Sequence, residues 1–434
     1  MNVKIQKKLL NFLTLKYIFD YNRTLKRAEK KPAYWIKQQN KNIKTYINYI
    51  YQIPFYRKKF DELKLKPSDI KTAKDFHLLP QLTKEEYRQW IKEETMDSQE
   101  YQYWIKKTTS GSSGSPLTLY SLPKDLASDI ANLFRATQLQ DKGYNIFFDK
   151  IFSMMVHDSS TKSFVQKLGI LRRKQESSIH PPQYLVEKFN EYKPDFFYGN
   201  KTAMQLMAHY ALEHHIEMHH PKCLGSISEA LDDNSRKTIE QAFGENLFDI
   251  YGTAELGNFA IEKCGKPLEH KIWHDTHIVN VIDEEGNIID NGIGQIIVTP
   301  IKHFGFPLLN YKVGDYVETY TRDGIRYISQ IIGRTNDKIK NLDGSVYSWM
   351  HMSRLMAGLI DIAQYRFVQE SYEVLKLQLV MEKGSKKSKE DIEKIIIARS
   401  QEIFNQEMKI IAFEWKDVLS PDSHGKLRVL VSKI

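Results

Sequence analysis

The sequence predicts an α/β protein with a large multi-layer amino-terminal domain that carries a β-rich subdomain, followed by a small α+β domain. Three observations lead there. Between residues 123 and 243 short apolar segments alternate with longer amphipathic ones, the pattern of strands crossed by helices. From about residue 270 the texture turns to β-branched residues around Gly-containing turns. After Gly333-Arg334 a last stretch mixes both patterns and is long enough for a core of its own.

Residues 1 to 100 read as mainly helical. Apolar side chains recur at three- and four-residue spacing in "IKTYINYIYQI", and "LTKEEYRQWIKEE" opens with the Thr-x-x-Glu pattern of a capping box. The segment "PKDLASDIANLFRATQLQ", 123 to 140, repeats the helical spacing. "IFSMMVH" at 151 to 157 and "DFFYG" at 195 to 199 read as strands, and "NKTAMQLMAHYALEHH" and "DDNSRKTIEQAFG" as helices between strands. "THIVNVIDEEGNIIDNGIGQIIVTPI" and "DYVETYTRDGIRYISQIIGR" read as strands, the second with an Asp-Gly hairpin signal. Beyond them come helix-like "WMHMSRLMAGL", strand-like "YRFVQES" and "VLKLQLVME", a charged loop, a helix and two closing strands. The expected division is 1–335 and 336–434, with no internal repeat.

The 434 residues, 41% of them hydrophobic, can bury a sizeable core. Lys and Arg number 63 against 54 Asp and Glu, a formal net charge of +9. No nucleic-acid-binding module accompanies that excess, so no nucleic-acid partner is expected. Cys223 and Cys264 are too few and isolated for a disulfide framework, which points to the cytoplasm. No apolar run is long enough to span a membrane, and no cleavage site follows the basic amino terminus. Residues 1 to 20 suit a basic amphipathic helix, either docked on its own domain or in peripheral contact with a membrane.

The stretch "TSGSSGSP", Thr109 to Pro116, is rich in backbone N–H groups, hydroxyls and glycine freedom, which suit phosphate oxygens as well as they suit a linker. It is not the loop of the P-loop NTPases, because Gly114 is followed by Ser115-Pro116 rather than by Lys-Ser/Thr. Further motifs follow: "YGTAELG" (Tyr251 to Gly257), "YKVGDY" (Tyr311 to Tyr316), "IIGRTNDKIK" (Ile331 to Lys340) and "SHGKLR" (Ser423 to Arg428). In order and spacing the five resemble the motifs of the adenylate-forming superfamily of acyl-CoA synthetases and adenylation domains. "IPFYRKKF" (Ile53 to Phe60), "GSISEALDDNSR" (Gly225 to Arg236) and "FPLLNYKVGD" (Phe306 to Asp315) resemble its phenylacetate-CoA ligase family, including relatives from capsule-polysaccharide gene clusters. The resemblance runs from about residue 50 to the carboxyl terminus.

That resemblance implies ATP-dependent activation of a small carboxylic or amino acid as acyl-AMP, with pyrophosphate release and transfer of the acyl group to a thiol. It implies that Thr109, Ser110, Gly111, Ser112, Ser113 and Gly114 hold the outgoing phosphates, with Ser115 where the family often has Lys. It places Tyr251 on adenine, Gly252 and Thr253 beside the acyl group and α-phosphate, Ser228 and Glu229 among the nucleotide-binding residues, and Glu255 on Mg2+. Asp315 would accept the ribose hydroxyls, and Arg334 would contact ribose or phosphate. Asn336, beside Asp337, would be the hinge of a mobile carboxyl-terminal lid that carries the catalytic Lys426. The acceptor would be coenzyme A or the phosphopantetheine of a carrier protein, and the resemblance to capsule-cluster relatives adds surface-polysaccharide modification as a setting. Tyr198, Gly199 and His157 are expected near the acyl pocket. Cys264, His270, His274 and His277 match part of a zinc set found in some relatives, without the later paired cysteines, so no zinc is expected. Two other readings stay open: a binding scaffold of the same fold without turnover, and a basic peripheral membrane protein.

Overall fold

The structure, a computed structural model, describes residues 16–17, 19–20, 32–96, 101, 104–108, 117–155, 164–323, 325–334, 338–341, 346–356, 358–359, 361–382, 384–404, 409–420 and 427–434. The helical reading of the first hundred residues holds over the described part, in helices Pro32–Ile50, Pro54–Glu62 and Lys84–Thr95. The predicted capping box forms. Thr83 Oγ1 accepts the Glu86 N–H at 3.2 Å while Glu86 Oε2 accepts the Thr83 N–H at 2.9 Å.

A short hairpin, β1 (Ile105–Thr108) and β2 (Thr118–Ser121), leads into helix Pro123–Leu139. The central sheet begins with β3 (Lys150–Met155), β4 (Arg172–Ser177), β5 (Phe196–Asn200), β6 (Cys223–Ile227) and β7 (Leu247–Thr253). These are parallel neighbours in the order β4-β3-β5-β6-β7. Helices Pro182–Tyr192, Lys201–Glu213 and Asp233–Phe243 connect them, as parallel pairing requires. All five residues of β5 are buried, the mark of a strand covered on both faces.

The β texture beyond residue 250 continues this same sheet rather than building a second one. Here β8 (Gly257–Lys263) turns back antiparallel on β7. Next come β9 (Lys266–Ile272), β10 (Ile278–Ile282), β11 (Ile288–Ile289), β12 (Gly292–Thr299), β13 (Tyr311–Arg322) and β14 (Ile325–Arg334). The full 12-stranded order is β11-β10-β12-β13-β14-β9-β8-β7-β6-β5-β3-β4. The Asp-Gly hairpin joins β13 to β14 with Arg322 opposite Ile325 and Asp323 at φ +54°. The change from parallel to antiparallel falls in the turn between β7 and β8, inside "YGTAELG".

After the pair β15 (Lys338–Lys340) and β16 (Val346–Ser348) comes a four-stranded sheet with the order β19-β18-β17-β20. It comprises β17 (Ile362–Gln369), β18 (Val374–Met381), β19 (Lys409–Lys416) and β20 (Leu430–Ser432). Helices Trp349–Met356 and Lys389–Ile403 pack on it through Met352, Leu355, Ile392 and Ile396 against Phe367 and Leu377, a core separate from that of the large sheet.

Between β12 and β13 the chain runs irregularly and buried through residues 304 to 310, with Phe306 and Asn310 in the left-handed region at φ +48° and +43°. Its carbonyls find partners from the amino-terminal helices. Tyr46 Oη donates to Leu308 O at 2.5 Å, Tyr49 to Phe304 O at 2.9 Å, Tyr56 to Pro307 O at 2.5 Å and Tyr87 to Phe306 O at 2.9 Å. A buried carbonyl without a partner costs about 1–3 kcal/mol, so these hydroxyls are what let a loop run through the interior. Burial holds Tyr46 and Tyr56 protonated, with pKa values well above the ordinary tyrosine range.

Candidate active site

The turn after β7 is shaped by what it cannot hold. A Cβ on Gly252 would stand 2.4 Å from the Gly257 carbonyl and 2.8 Å from Asn258 Cα, both backbone, so only glycine allows the two strands to approach. Thr253 Oγ1 accepts the Leu256 N–H at 3.3 Å and closes the turn from within. From outside, His277 Nε2 lies 2.9 Å from the Leu256 carbonyl. That carbonyl can only accept, so Nε2 carries the proton. Burial pushes His277 down to about 4, which keeps the ring neutral.

Tyr251 and Glu255 leave this turn in different directions. The Tyr251 hydroxyl donates to Asp315 Oδ2 at 2.7 Å, and its ring packs edge-on to Phe259 at 4.9 Å between centroids. Asp315 on β13 is in turn the cross-strand partner of Arg334 on β14. Residues 251, 315 and 334, far apart in the chain, therefore meet on one sheet, Asp315 and Arg334 on adjacent strands and Tyr251 reaching Asp315 from the more distant β7. The Glu255 carboxylate is 9% exposed and lies 3.5 Å from the Lys84 ammonium, which is 23% exposed, at the start of helix Lys84–Thr95.

Residues 109 to 116 lie outside the described residues, but both roots of the segment are placed. Thr108 pairs with Thr118, so the hairpin brings its two ends together. Next to this base Lys107 Nζ lies 3.3 Å from Asp129 Oδ2, and His303 Nε2 lies 2.8 Å from Asp129 Oδ1. Burial alone would raise the Asp129 pKa, but the His303 charge and hydrogen bond, with Lys107, hold it down at about 2. Burial likewise opposes a charged His303, and Asp129 outweighs it and raises its pKa. Lys107, Tyr120, Asp129, Glu255, His303 and Phe306 line one small cavity, so the roots of the Ser/Gly segment and the acidic end of "YGTAE" open onto the same space.

Helix Pro123–Leu139 organises this region through two carboxylates one turn apart. Asp125 accepts the backbone N–H of Leu122, Phe304 and Gly305 at 2.8–2.9 Å. Asp129 presses on the turn itself, because a Cβ on Gly257 would stand 2.2 Å from Asp129 Oδ1, and Gly257 sits at φ +72°. Neither aspartate was singled out in the sequence. Helix "PKDLASDIANL" carries both at i, i+4 on its loop-facing side, a spacing that marks a shared face without saying what that face meets.

Ser228 and Glu229 follow β6, with Ser228 in the left-handed region at φ +72°. The Glu229 carboxylate accepts the Thr202 N–H and the Thr202 hydroxyl, both at 2.9 Å, at the start of helix Lys201–Glu213. It also accepts the Leu427 N–H at 3.1 Å. Asn336, Asp337 and Lys426 lie outside the described residues, as does the Arg334 side chain. Tyr198 and Gly199 have their space filled by the sheet: a Cβ on Gly225 would meet the Tyr198 ring at 2.5 Å, and one on Gly199 would meet Met154 Cε at 2.5 Å. His157 is outside the described residues.

Cys264, His270, His274 and His277 face separate partners. Cys264 N–H donates to Gln140 Oε1, His270 Nε2 lies 3.0 Å from Asp249, and His274 Nε2 lies 3.2 Å from the Arg326 carbonyl. Among the described residues no group of three or more His, Cys, Asp or Glu is placed to hold a metal ion.

No family model matches the chain. It is 25% identical over 392 residues to Protein CapK of Staphylococcus aureus, covering 87% of this chain and 85% of that one. It is 23% identical over 298 residues to the phenylacetate-coenzyme A ligase of Pseudomonas putida, with 66% and 67% covered. Among solved structures it superposes with a TM-score of 0.72, at 18% identity, on 2-hydroxyisobutyryl-CoA ligase in the postadenylation state in complex with R3-HIB-AMP, covering 92% of this chain and 89% of that one. On the same ligase in the thioesterification state the TM-score is 0.58, at 19% identity, with 93% and 90% covered. The sheet order, the converging motifs and these relatives agree: the chain has the fold of acyl-CoA ligases and is similar in sequence to phenylacetate-coenzyme A ligase.

Proposed function

We propose that the protein activates a carboxylic acid with ATP. A carboxylate oxygen attacks the α-phosphorus, the new P–O bond forms as the bond to the leaving pyrophosphate breaks, and acyl-AMP results. A thiolate then attacks the acyl carbon and AMP leaves with the electron pair, giving a thioester. The observation that carries this reading is the convergence of Tyr251, Asp315 and Arg334 on one sheet, next to the cavity that Glu255 shares with the roots of the Ser/Gly segment.

In that site Asp315 accepts the ribose hydroxyls and Tyr251 both orients it and offers an aromatic face to adenine. Gly252 and Thr253 keep the turn thin, so that acyl group and α-phosphate can approach the backbone. The hydroxyls and amides of residues 109 to 114 hold the leaving phosphates. The largely buried Glu255 carboxylate already draws one cation, Lys84, and is a hard oxygen donor suited to Mg2+. Mg2+ bound there would offset charge on the phosphates. Lys426 would hold substrate carboxylate and α-phosphate together during the first step.

We divide the chain at about residue 335 into the large domain and a lid, hinged at Asn336. The better superposition on the postadenylation state than on the thioesterification state supports reading this arrangement as the one that serves adenylation. Coenzyme A is the favoured acceptor, with carrier-protein phosphopantetheine as the variant. Cytoplasmic ATP and the free Cys223 and Cys264 suit a reducing compartment. The resemblance to capsule-cluster relatives supports a role in decorating a surface polymer.

The test is acid-dependent pyrophosphate release over a panel of carboxylic and amino acids, with Lys426→Ala alongside. One or a few acids should elicit release that the variant loses by about 100-fold or more. If no acid elicits release and ATP does not bind, the reading fails. Release without acylation of coenzyme A would transfer the second step to a carrier protein.

A further inference from the structure

The structure assigns Glu229 and Asn234 as positioning residues that latch the carboxyl-terminal unit onto the large sheet in the arrangement serving adenylation; this rests on the reading above. Among the described residues, polar contacts made by Glu229, by Asn234 (which also reaches the Leu359 carbonyl at 3.5 Å) and by Gln205 join the two units at the carboxyl ends of the parallel strands. Glu229 accepts the Leu427 N–H at 3.1 Å, and Leu427 directly follows Lys426 in the chain. Asn234 Nδ2 donates to the Ile362 carbonyl at 2.8 Å, at the start of β17. Gln205 Nε2 reaches the neighbouring Ala363 carbonyl at 3.5 Å.

Each contact pairs a side chain of the large unit with a backbone group of the smaller one. Such contacts read the orientation of a backbone and ignore its side chains, so they hold one arrangement and let go as soon as the unit turns. The side chains themselves are held in place. Glu229 is fixed by the Thr202 N–H and hydroxyl. Asn234 lies in the first turn of helix Asp233–Phe243, whose cap Asp232 accepts the Ser235 N–H at 2.9 Å and pairs with the part-buried Lys201 at 3.2 Å. The carboxylate of Glu229 is therefore already oriented, and a backbone N–H to an anion is the stronger kind of hydrogen bond. Glu229 is thus engaged with the smaller unit and with Thr202 in this arrangement, and its part in the reaction is to set the backbone next to Lys426.

A latch of this kind favours one half-reaction over the other. Asn234→Ala, and Asn234→Asp as a variant that keeps the shape, should slow ATP–pyrophosphate exchange about tenfold. They should leave thioester formation from supplied acyl-adenylate and coenzyme A unchanged or faster. Glu229→Gln, which loses one acceptor, should slow exchange in the same direction. A readout free of substrate separates this idea from the enzyme reading: spin labels on Glu217→Cys and Lys394→Cys in the full chain report the distance between the units. One dominant short distance in the parent, with a second longer population in the Asn234 and Glu229 variants, is the expected result, whether or not an acid is found. An unchanged distance distribution, or equal losses in both half-reactions, overturns the latch. Failure of every acid to release pyrophosphate overturns the enzyme reading and leaves the distance measurement to decide the latch.

Discussion

Asp129→Asn isolates the junction beneath the Ser/Gly segment. The Asp129 side chain is 18% exposed and is held at about 2 against an ordinary 3.8, which at 1.36 kcal/mol per unit is worth about 2–3 kcal/mol of folding stability while the carboxylate is charged in both states. The sign follows from both partners. The depressed Asp129 contributes above pH 3.8 and loses its contribution as pH falls through about 2. The raised His303 contributes fully below its ordinary 6.5 and loses its contribution as pH rises through its folded value. Lys107, Asp125 and His277 face the same pair and stay in place in the variant. The difference in melting temperature between parent and variant should therefore be widest near pH 5–6, about 2–3 °C for a chain of this size, and should shrink toward pH 9. Differential scanning calorimetry across that range measures it. His303→Asn should reproduce the loss, and the double variant should lose little more than either single one. A gap that is absent, or equal at pH 6 and pH 9, would refute the argument that this pair is charged and buried together.

Other substitutions probe the site from different sides. Tyr251→Phe removes the 2.7 Å donor to Asp315, so ATP should bind about three- to tenfold more weakly by calorimetric titration with the melting temperature nearly unchanged. Gly252→Ala would place a Cβ 2.4 Å from the Gly257 carbonyl, backbone against backbone, and should cost about 3 kcal/mol or more in thermal unfolding. Tyr46→Phe strands the buried Leu308 carbonyl and should cost about 1–3 kcal/mol in thermal unfolding, with the loss unchanged between pH 6 and pH 9, because the hydroxyl stays protonated.

The sequence by itself determined the elements and the motifs. Hydrophobic periodicity located helices such as Pro123–Leu139 and strands such as β5, the Thr-x-x-Glu of residues 83 to 86 announced its capping box, and Asp-Gly announced the β13–β14 turn. These are readable because local hydrogen bonds and side-chain spacing decide them within a few residues. The ordered motifs carried the resemblance to the superfamily for the same reason, since each is a short local signature.

Only the tertiary structure decided how those pieces meet. The β-rich stretch proved to be the antiparallel continuation of the parallel sheet, because strand pairing is chosen by partners distant in the chain. The four tyrosines that hold residues 304 to 308 look like core aromatics in sequence, and their hydroxyl partners, more than 200 residues away, appear only on folding. Asp125 and Asp129 resemble solvated positions on an amphipathic helix, and what makes them a junction is the arrival of residues 303 to 305, Lys107 and Gly257 from three other segments. The resemblance places Glu229 among the nucleotide-binding residues, but its hold on Leu427, 198 residues downstream, depends on how two separately folded cores dock. Periodicity reports which face of an element is buried; it carries no information about which remote group will lie against that face.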